Sequence, residues 1–230
     1  IDNQVINFTE TSAGGGYIRE GDSMGDVYIT KVLKRDATGA IAVAADGSLS
    51  SMDLPNGERL RIGNTNPDFT PGWRNNISWK GLNLSFLINA RVGGIVTSET
   101  QAVLDQFGVS KATAEARDRG YVEVAGGQRV DPQKYYEVVA NQQLLGYYYY
   151  SATNIRLQNV SLTYTLPKTL LGQGWPGITV GFIANNLWMI YNKAPFDPEI
   201  AASTGTYGQG SDYFSAPSLR NIGFSLKLNF

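Results

Sequence analysis

Residues 221–230, NIGFSLKLNF, decide the fold. Side chains of an extended chain alternate between two sides, so Ile222, Phe224, Leu226, Leu228 and Phe230 share one side, and Gly223, Ser225, Lys227 and Asn229 the other. A soluble sheet with one packed and one wet face gives this pattern. So does a transmembrane barrel strand with an apolar lipid face and a polar lumen face. Ten residues at ~3.3 Å each, tilted ~45°, cover roughly 23 Å, close to the ~25 Å apolar band of an outer-membrane barrel. Recurrence of the pattern, and the loops between its copies, separate the two.

The pattern recurs. Ile178, Val180, Phe182 and Ala184 begin a strand that runs to Tyr191, and Val160, Leu162, Tyr164 and Leu166 alternate with Ser161, Thr163 and Thr165. Ile155 and Leu157 are out of phase with that strand, as one bulged residue near Asn159 would produce. Pro167 cannot donate to a ladder and ends it. Further upstream Trp73, Asn75, Ile77 and Trp79 oppose Arg74, Asn76, Ser78 and Lys80. After the Lys80-Gly81 junction, Leu82, Leu84, Phe86, Ile88 and Ala90 oppose Asn83, Ser85, Asn89 and Arg91, with Leu87 the exception. This is an antiparallel hairpin with a very short turn.

The remaining segments read as connections and shorter strands. Residues 1–9 suggest the end of a strand and residues 12–16, with three consecutive glycines, a turn. A strand is expected near residues 27–33, with Gly21 and Gly25 as bends, and a small hairpin around Ile41 to Ala45 between Asp36-Ala-Thr-Gly39 and Asp46-Gly47. Ser98 with Gln101 forms a capping box, Ser110 caps a second helical stretch, and Gly120 suits the C′ position after it. Residues 121–141 show no period and read as a long, partly ordered loop leading to Gly146 and four tyrosines. Loops are thus short at Lys80-Gly81 and 167–177, and long at 97–150 and 192–218. Outer-membrane barrels are built this way, with short periplasmic turns and long external loops.

The 230 residues carry 19 basic and 20 acidic side chains, which gives no electrostatic footprint for nucleic acid. With no His and no Cys, disulfides, thiol chemistry, His-based acid–base catalysis and the usual zinc sites are excluded, and no cofactor is called for. No run approaches the roughly 18 to 20 apolar residues of a membrane helix, which argues against helical spans alone. The opening IDNQVINFTE lacks the basic start and apolar core of a signal peptide.

In order along the chain, the blocks IREGDSMGDVYITK (18–31), RIGNTNPDFTPGW (61–73), ISWKGLNLSFLINARVGG (77–94), NIRLQNVSLTYTLP (154–167), NNLWMIYNKAPFDPE (185–199) and DYFSAPSLRNIGFSLKLNF (212–230) are distinctive. Together they resemble the C-terminal portion of the SusC/RagA-family TonB-dependent outer-membrane transporters of Bacteroidota. The resemblance implies that residues 1–230 form one region, the C-terminal part of an all-β membrane barrel of about 22 strands, with about seven strands here and small helical insertions in long external loops. It also implies the outer membrane of a Gram-negative bacterium, contact with its lipid, a SusD-like surface lipoprotein as partner, and TonB acting on an N-terminal region. The cargo it implies is an oligomeric nutrient, oligosaccharide or peptide. The carboxypeptidase-like extension, TonB box, plug and earlier strands of the family are not in this sequence. About seven strands cannot close such a barrel, and open edges cannot be satisfied by lipid, so the chain is expected to be completed by the remainder of the same barrel.

Several residues are candidates for function. Asp197-Pro-Glu199 brings two carboxylates together, a pattern that can bind Ca²⁺ or act as acid and base, but its first reading is a turn fixed by Pro195 and Pro198, and no catalytic role follows from it. Residues 205–210 superficially resemble a glycine-rich phosphate loop but lack the strand before and helix after that the mechanism needs. Tyr147, Tyr148, Tyr149 and Tyr150 offer flat faces and hydroxyls for ligand or partner contact, or for an aromatic girdle or loop packing, as do Tyr213 and Phe214. Trp79, Trp188 and Tyr191 read as a membrane belt. Phe230 resembles the terminal aromatic read by the outer-membrane assembly machinery. Two other readings use the same residues: a soluble β-sandwich that binds carbohydrate on its Tyr and Trp side chains, and a passive porin-like channel. An enzyme is not expected.

Overall fold

The structure is a computed structural model that describes residues 22–23, 25–171, 176–199 and 210–230. The expected strand end at 1–9, the turn at 12–16 and most of the glycine-rich 205–210 lie outside these residues. The first elements in chain order are β1 (Asp26–Ile29), β2 (Lys31–Leu33), β3 (Ser51–Asp53), β4 (Leu60–Asn64), β5 (Gly72–Trp79), β6 (Leu82–Arg91) and β7 (Ile95–Ser98). Then come α1 (Glu99–Gln106), α2 (Lys111–Arg119), β8 (Val122–Val124), β9 (Gln128–Val130), α3 (Pro132–Val139) and β10 (Tyr149–Ser151). The last are β11 (Asn154–Thr165), α4 (Lys168–Leu171), β12 (Gly177–Asn192), β13 (Ser211–Asp212) and β14 (Asn221–Asn229). They divide into two compact units.

One unit, drawn from Pro67–Gly94, Ser151–Glu199 and Ala216–Phe230, is a wall of five antiparallel strands in the order β14-β12-β11-β6-β5. Its register lines the alternating residues up in rows. Ile77, Leu84, Leu162, Phe182 and Phe224 stand side by side, as do Trp79, Leu82, Tyr164, Val180 and Leu226. On the other side of the pleat, Ser78, Asn83, Thr163, Gly181 and Ser225 make one row. The apolar side is bare: Phe224 is 87% exposed and Leu226 67%. A sheet with an uncovered apolar side and a polar side opposite it is what an outer-membrane barrel wall presents. The wall is open, with no strand beyond β5 or β14 among the described residues.

Local chemistry fixes this register. Lys80 and Gly81 both take positive φ, 45° and 86°, which makes the two-residue turn that matches strand twist and pairs Trp79 with Leu82. A Cβ on Gly81 would also come within 2.8 Å of the Thr165 carbonyl oxygen. The expected bulge near Asn159 is present: Leu157 faces Ile88 and Asn159 faces Leu87, leaving Gln158 as the extra residue. β12 answers with its own irregularity at Asn186, whose φ is 51°. The two irregularities bring Ile155 and Leu157 back into the apolar rows with Ala90 and Ile88.

The other unit, drawn from described residues of Ile1–Asn66, Ile95–Tyr150 and Ile200–Ser215, has a core of its own. Leu33, Ile41 and Leu49 come from the small antiparallel meander, where Asp36 and Asp46 accept bonds from Thr38, Ala40 and Ser48 and so shape its two turns. Ala102, Val124, Val130, Val139, Leu144 and Tyr148 complete the core from helices and hairpin. The strand expected near 27–33 is divided: β1 pairs with β4 and β2 with β3, because the chain leaves the ladder at Thr30. The Ser98 and Ser110 caps form, accepting the Gln101 and Thr113 amides, and Gly120 closes α2 in the left-handed region. The Gln101 side chain, however, turns forward to Asp105.

Residues 121–141 depart from the irregular loop read from the sequence. They fold into the β8–β9 hairpin and α3, with Gly126 and Gly127 at positive φ in the turn and Asp131-Pro132 starting the helix. Strands of three residues and a helix of eight are too short to establish a period, and their signals are the turn and cap residues.

Three substitutions test these packings. Leu162→Arg, within the apolar rows, is expected to destabilise the intact barrel by about 2–4 kcal/mol in denaturant titrations from lipid vesicles, whereas Thr163→Arg on the polar side leaves the midpoint nearly unchanged. Tyr148→Phe removes a donor to the buried Asp105 carboxylate (Oη to Oδ2, 3.0 Å). It should cost about 1–3 kcal/mol, read as faster hydrogen exchange in α1 and α3.

Candidate functional site

Asn89, Arg156 and Met189 form a row on the polar side of the wall, just past the β11 bulge. Arg156 is only 4% exposed, and a buried guanidinium requires partners. Its Nη2 lies 2.7 Å from Asp197 Oδ1 and 3.4 Å from Glu199 Oε2. Nη1 donates to Ser218 Oγ at 3.3 Å and Asn186 Oδ1 at 3.4 Å, and Nε to Asn154 Oδ1 at 3.4 Å. The Ser218 hydroxyl in turn donates to Asp197 Oδ2. Burial pushes the Asp197 carboxyl up, but the bonds donated by Ser218, Arg156 and the Glu199 amide outweigh it and hold the carboxyl below its ordinary range.

The two carboxylates of Asp197-Pro-Glu199 therefore share one guanidinium, which pairs closely with Asp197 and more loosely with Glu199. The turn that presents it is held by more than prolines: Asn192 Nδ2 donates to the Ala194 and Phe196 carbonyls at 3.0 and 2.7 Å, and its Oδ1 accepts the Ala194 amide. Among the described residues no group of three or more His, Cys, Asp or Glu could hold a metal ion. Arg156 sits 41 positions before Asp197, and the only sequence signal for it is a charged residue beside a strand bulge. An open cavity of about 240 Å³ adjoins the cluster, lined by Arg156, Asn186, Met189, Asp197, Ser218 and Arg220.

The tyrosine run is spread over different environments. Tyr148 is buried against Asp105, and the Tyr147 hydroxyl accepts the Leu33 amide at 3.3 Å. The Tyr149 hydroxyl is pushed up to about 12 by burial and by Glu99, and that of Tyr150 to about 12 by burial, Asp105 and Tyr136. All three of Tyr148, Tyr149 and Tyr150 thus keep their protons at physiological pH and pack.

Tyr213 and Phe214 project instead, 57% and 56% exposed, with rings edge-to-face at 5.1 Å. They sit just after β13, which runs parallel to β7, so that buried Asp212 accepts the Ser98 hydroxyl at 2.8 Å. The Phe214 amide donates to Thr100 Oγ1 at 2.6 Å while Phe214 takes a φ of 48°, a conformation a bulky residue rarely adopts.

Trp79 and Trp188 are 66% and 60% exposed and Tyr191 38%. Trp73, 58% exposed and not singled out in the sequence, shares the row of Ile88, Leu157 and Trp188. It stands six residues from Trp79 along β5, about 20 Å of strand. Phe230 follows the last paired residue, Asn229, and is fully exposed.

No family model matches the chain. It is 25% identical over 238 residues to TonB-dependent receptor P3 of Formosa agariphila, covering 93% of this chain and 23% of that receptor. To TonB-dependent receptor P39 of the same organism it is 28% identical over 180 residues, covering 75% of this chain and 17% of the relative. The chain thus spans less than a quarter of the length of these curated relatives. Solved structures of the RagAB peptide importer share its fold at 20% identity over 89% of this chain and 22% of theirs, with TM-scores of 0.56 in the closed-closed and 0.58 in the open-open state. These relatives are receptors and importers rather than enzymes; the chain is similar in sequence to TonB-dependent receptors over most of its length, and its two-faced antiparallel wall shares the β-barrel fold of the matching part of the RagAB importer.

Proposed function

We propose that the chain contributes barrel wall to an outer-membrane transporter that imports an oligomeric nutrient, oligosaccharide or peptide, together with a SusD-like surface lipoprotein. The observation that carries this reading is the bare apolar side of the five-stranded wall backed by a polar one. Lipid solvates the first and a water-filled lumen the second. The likeness to the RagAB peptide importer supports an oligomeric cargo. Energy is delivered by TonB to a part of the receptor outside this chain, and transport proceeds by gated passage without covalent chemistry.

In this reading Trp79, Trp188 and Tyr191 lie at the membrane interfaces, joined by Trp73, since indole and phenol rings favour the headgroup level. Phe230 serves as the terminal assembly signal. Tyr213 and Phe214 meet cargo or lipoprotein, the exposed aromatic type that dominates contact energies.

Uptake of labelled oligomer by cells carrying the intact receptor tests the reading. Uptake should require the energised TonB complex, and the chain should be extracted only with detergent. Uptake indifferent to TonB would favour a passive channel, and recovery in the aqueous fraction would favour a soluble binding module. Replacing Tyr213 and Phe214 by Ala should weaken co-purification of the lipoprotein or cargo binding by roughly tenfold, the scale of ~1.4 kcal/mol, with the amount of assembled barrel unchanged.

A further inference from the structure

The β14 strand has a register problem that its own sequence does not solve. Its side chains alternate uniformly from Ile222 to Asn229, so a shift of one residue against β12 would exchange its faces, but a shift of two would keep every apolar side chain on the apolar side. β5 and β6 are joined by a two-residue turn that sets their register, whereas β14 is reached from β12 through the long connection 193–220, so no tight turn sets its alignment. The edge-to-face contact of Phe182 and Phe224, centroids 5.8 Å apart, favours the observed register but is a single ring pair with Phe224 exposed. A fixed point outside the ladder is needed.

The structure supplies one immediately before β14 begins. The ladder with β12 runs from Gly177 opposite Asn229 to Asn185 opposite Asn221 and stops where Asn186 takes its φ of 51°. That turn of the backbone lets Asn186 Nδ2 donate to the Leu219 carbonyl at 3.3 Å, while its Oδ1 accepts from Arg156 Nη1 at 3.4 Å. The same Nη1 reaches Ser218 Oγ. Arg156 cannot follow a sliding strand, because Asn154 on its own strand and Asp197 on the connection after β12 hold the other nitrogens of its planar fork. We infer that Arg156, acting with Asn186 on Ser218 and Leu219, is the register pin of β14: a positioning residue that selects one of the face-preserving alignments of this strand. The inference rests on strand pairing and is independent of what the barrel carries.

The chain has no cysteine, so introduced pairs are its only thiols. In the intact receptor, Thr179→Cys with Lys227→Cys joins residues opposite each other in the observed register. Thr179→Cys with Ser225→Cys, or with Asn229→Cys, reports a two-residue shift in either direction. After oxidation of assembled protein, only the first pair should cross-link in the parent. In an Arg156→Ala background that cross-link should fall and a shifted one should appear. The combination Asn186→Gly with Ser218→Ala, which leaves the Arg156–Asp197 pair in place, should produce the same shift. Native cross-linking alone in assembled Arg156→Ala protein overturns the inference. If Arg156→Ala fails to assemble, the double variant decides: a shifted cross-link upholds the pin, and an unshifted one overturns it.

Discussion

Backbone hydrogen bonding between antiparallel neighbours is the constraint on which the wall depends. Each strand must present its amides and carbonyls in register to the next, and in lipid no water stands in for a missing partner. Once the ladder is set, the pleat sends alternate side chains to opposite sides, and the face pattern follows from the sequence. The I′-type turn at Lys80-Gly81 sets the register of β5 against β6, and β11 and β12 inherit theirs from the rows that follow.

The bulges are the points where this regularity is adjusted. Without the extra residue at Gln158, Ile155 and Leu157 would fall on the polar side and break the apolar rows. The matching irregularity at Asn186 ends the β12–β14 ladder and frees a side chain to bond the approach to β14. Arg156, next to the bulge, is brought to the polar side, where a buried cation collects Asp197, Glu199, Ser218 and Asn186. Removing Arg156 or Asp197 alone leaves an uncompensated buried charge, which is why buried pairs are costly to break even when they add little net stability.

The second unit follows a different logic. Its apolar residues are scattered over short elements, and no element is long enough to bury much by itself; together they close a core around Leu33, Leu144 and Tyr148. Polar ties of long range hold it. Ser98 both caps α1 and donates to Asp212, 114 positions later, so the helix start and the segment bearing Tyr213 and Phe214 are fixed by one hydroxyl.

Local rules in the sequence determined the wall strands from 72 to 229, their two faces, the Lys80-Gly81 turn, the bulge near Asn159 and the Ser98, Ser110 and Gly120 caps, because periodicity, turn chemistry and capping are encoded within a few residues. The family resemblance lay in ordered blocks along the same strands and the turns beside them. Only the tertiary structure decided the core built from residues 121–150, the division of 27–33 between two partners, the burial of Tyr148 against Asp105, and the Arg156–Asp197 cluster. These depend on which distant segments meet, and a single sequence records the residue types but not the pairings across 41 or 114 positions that give Asp197 a guanidinium and Asp212 a hydroxyl donor.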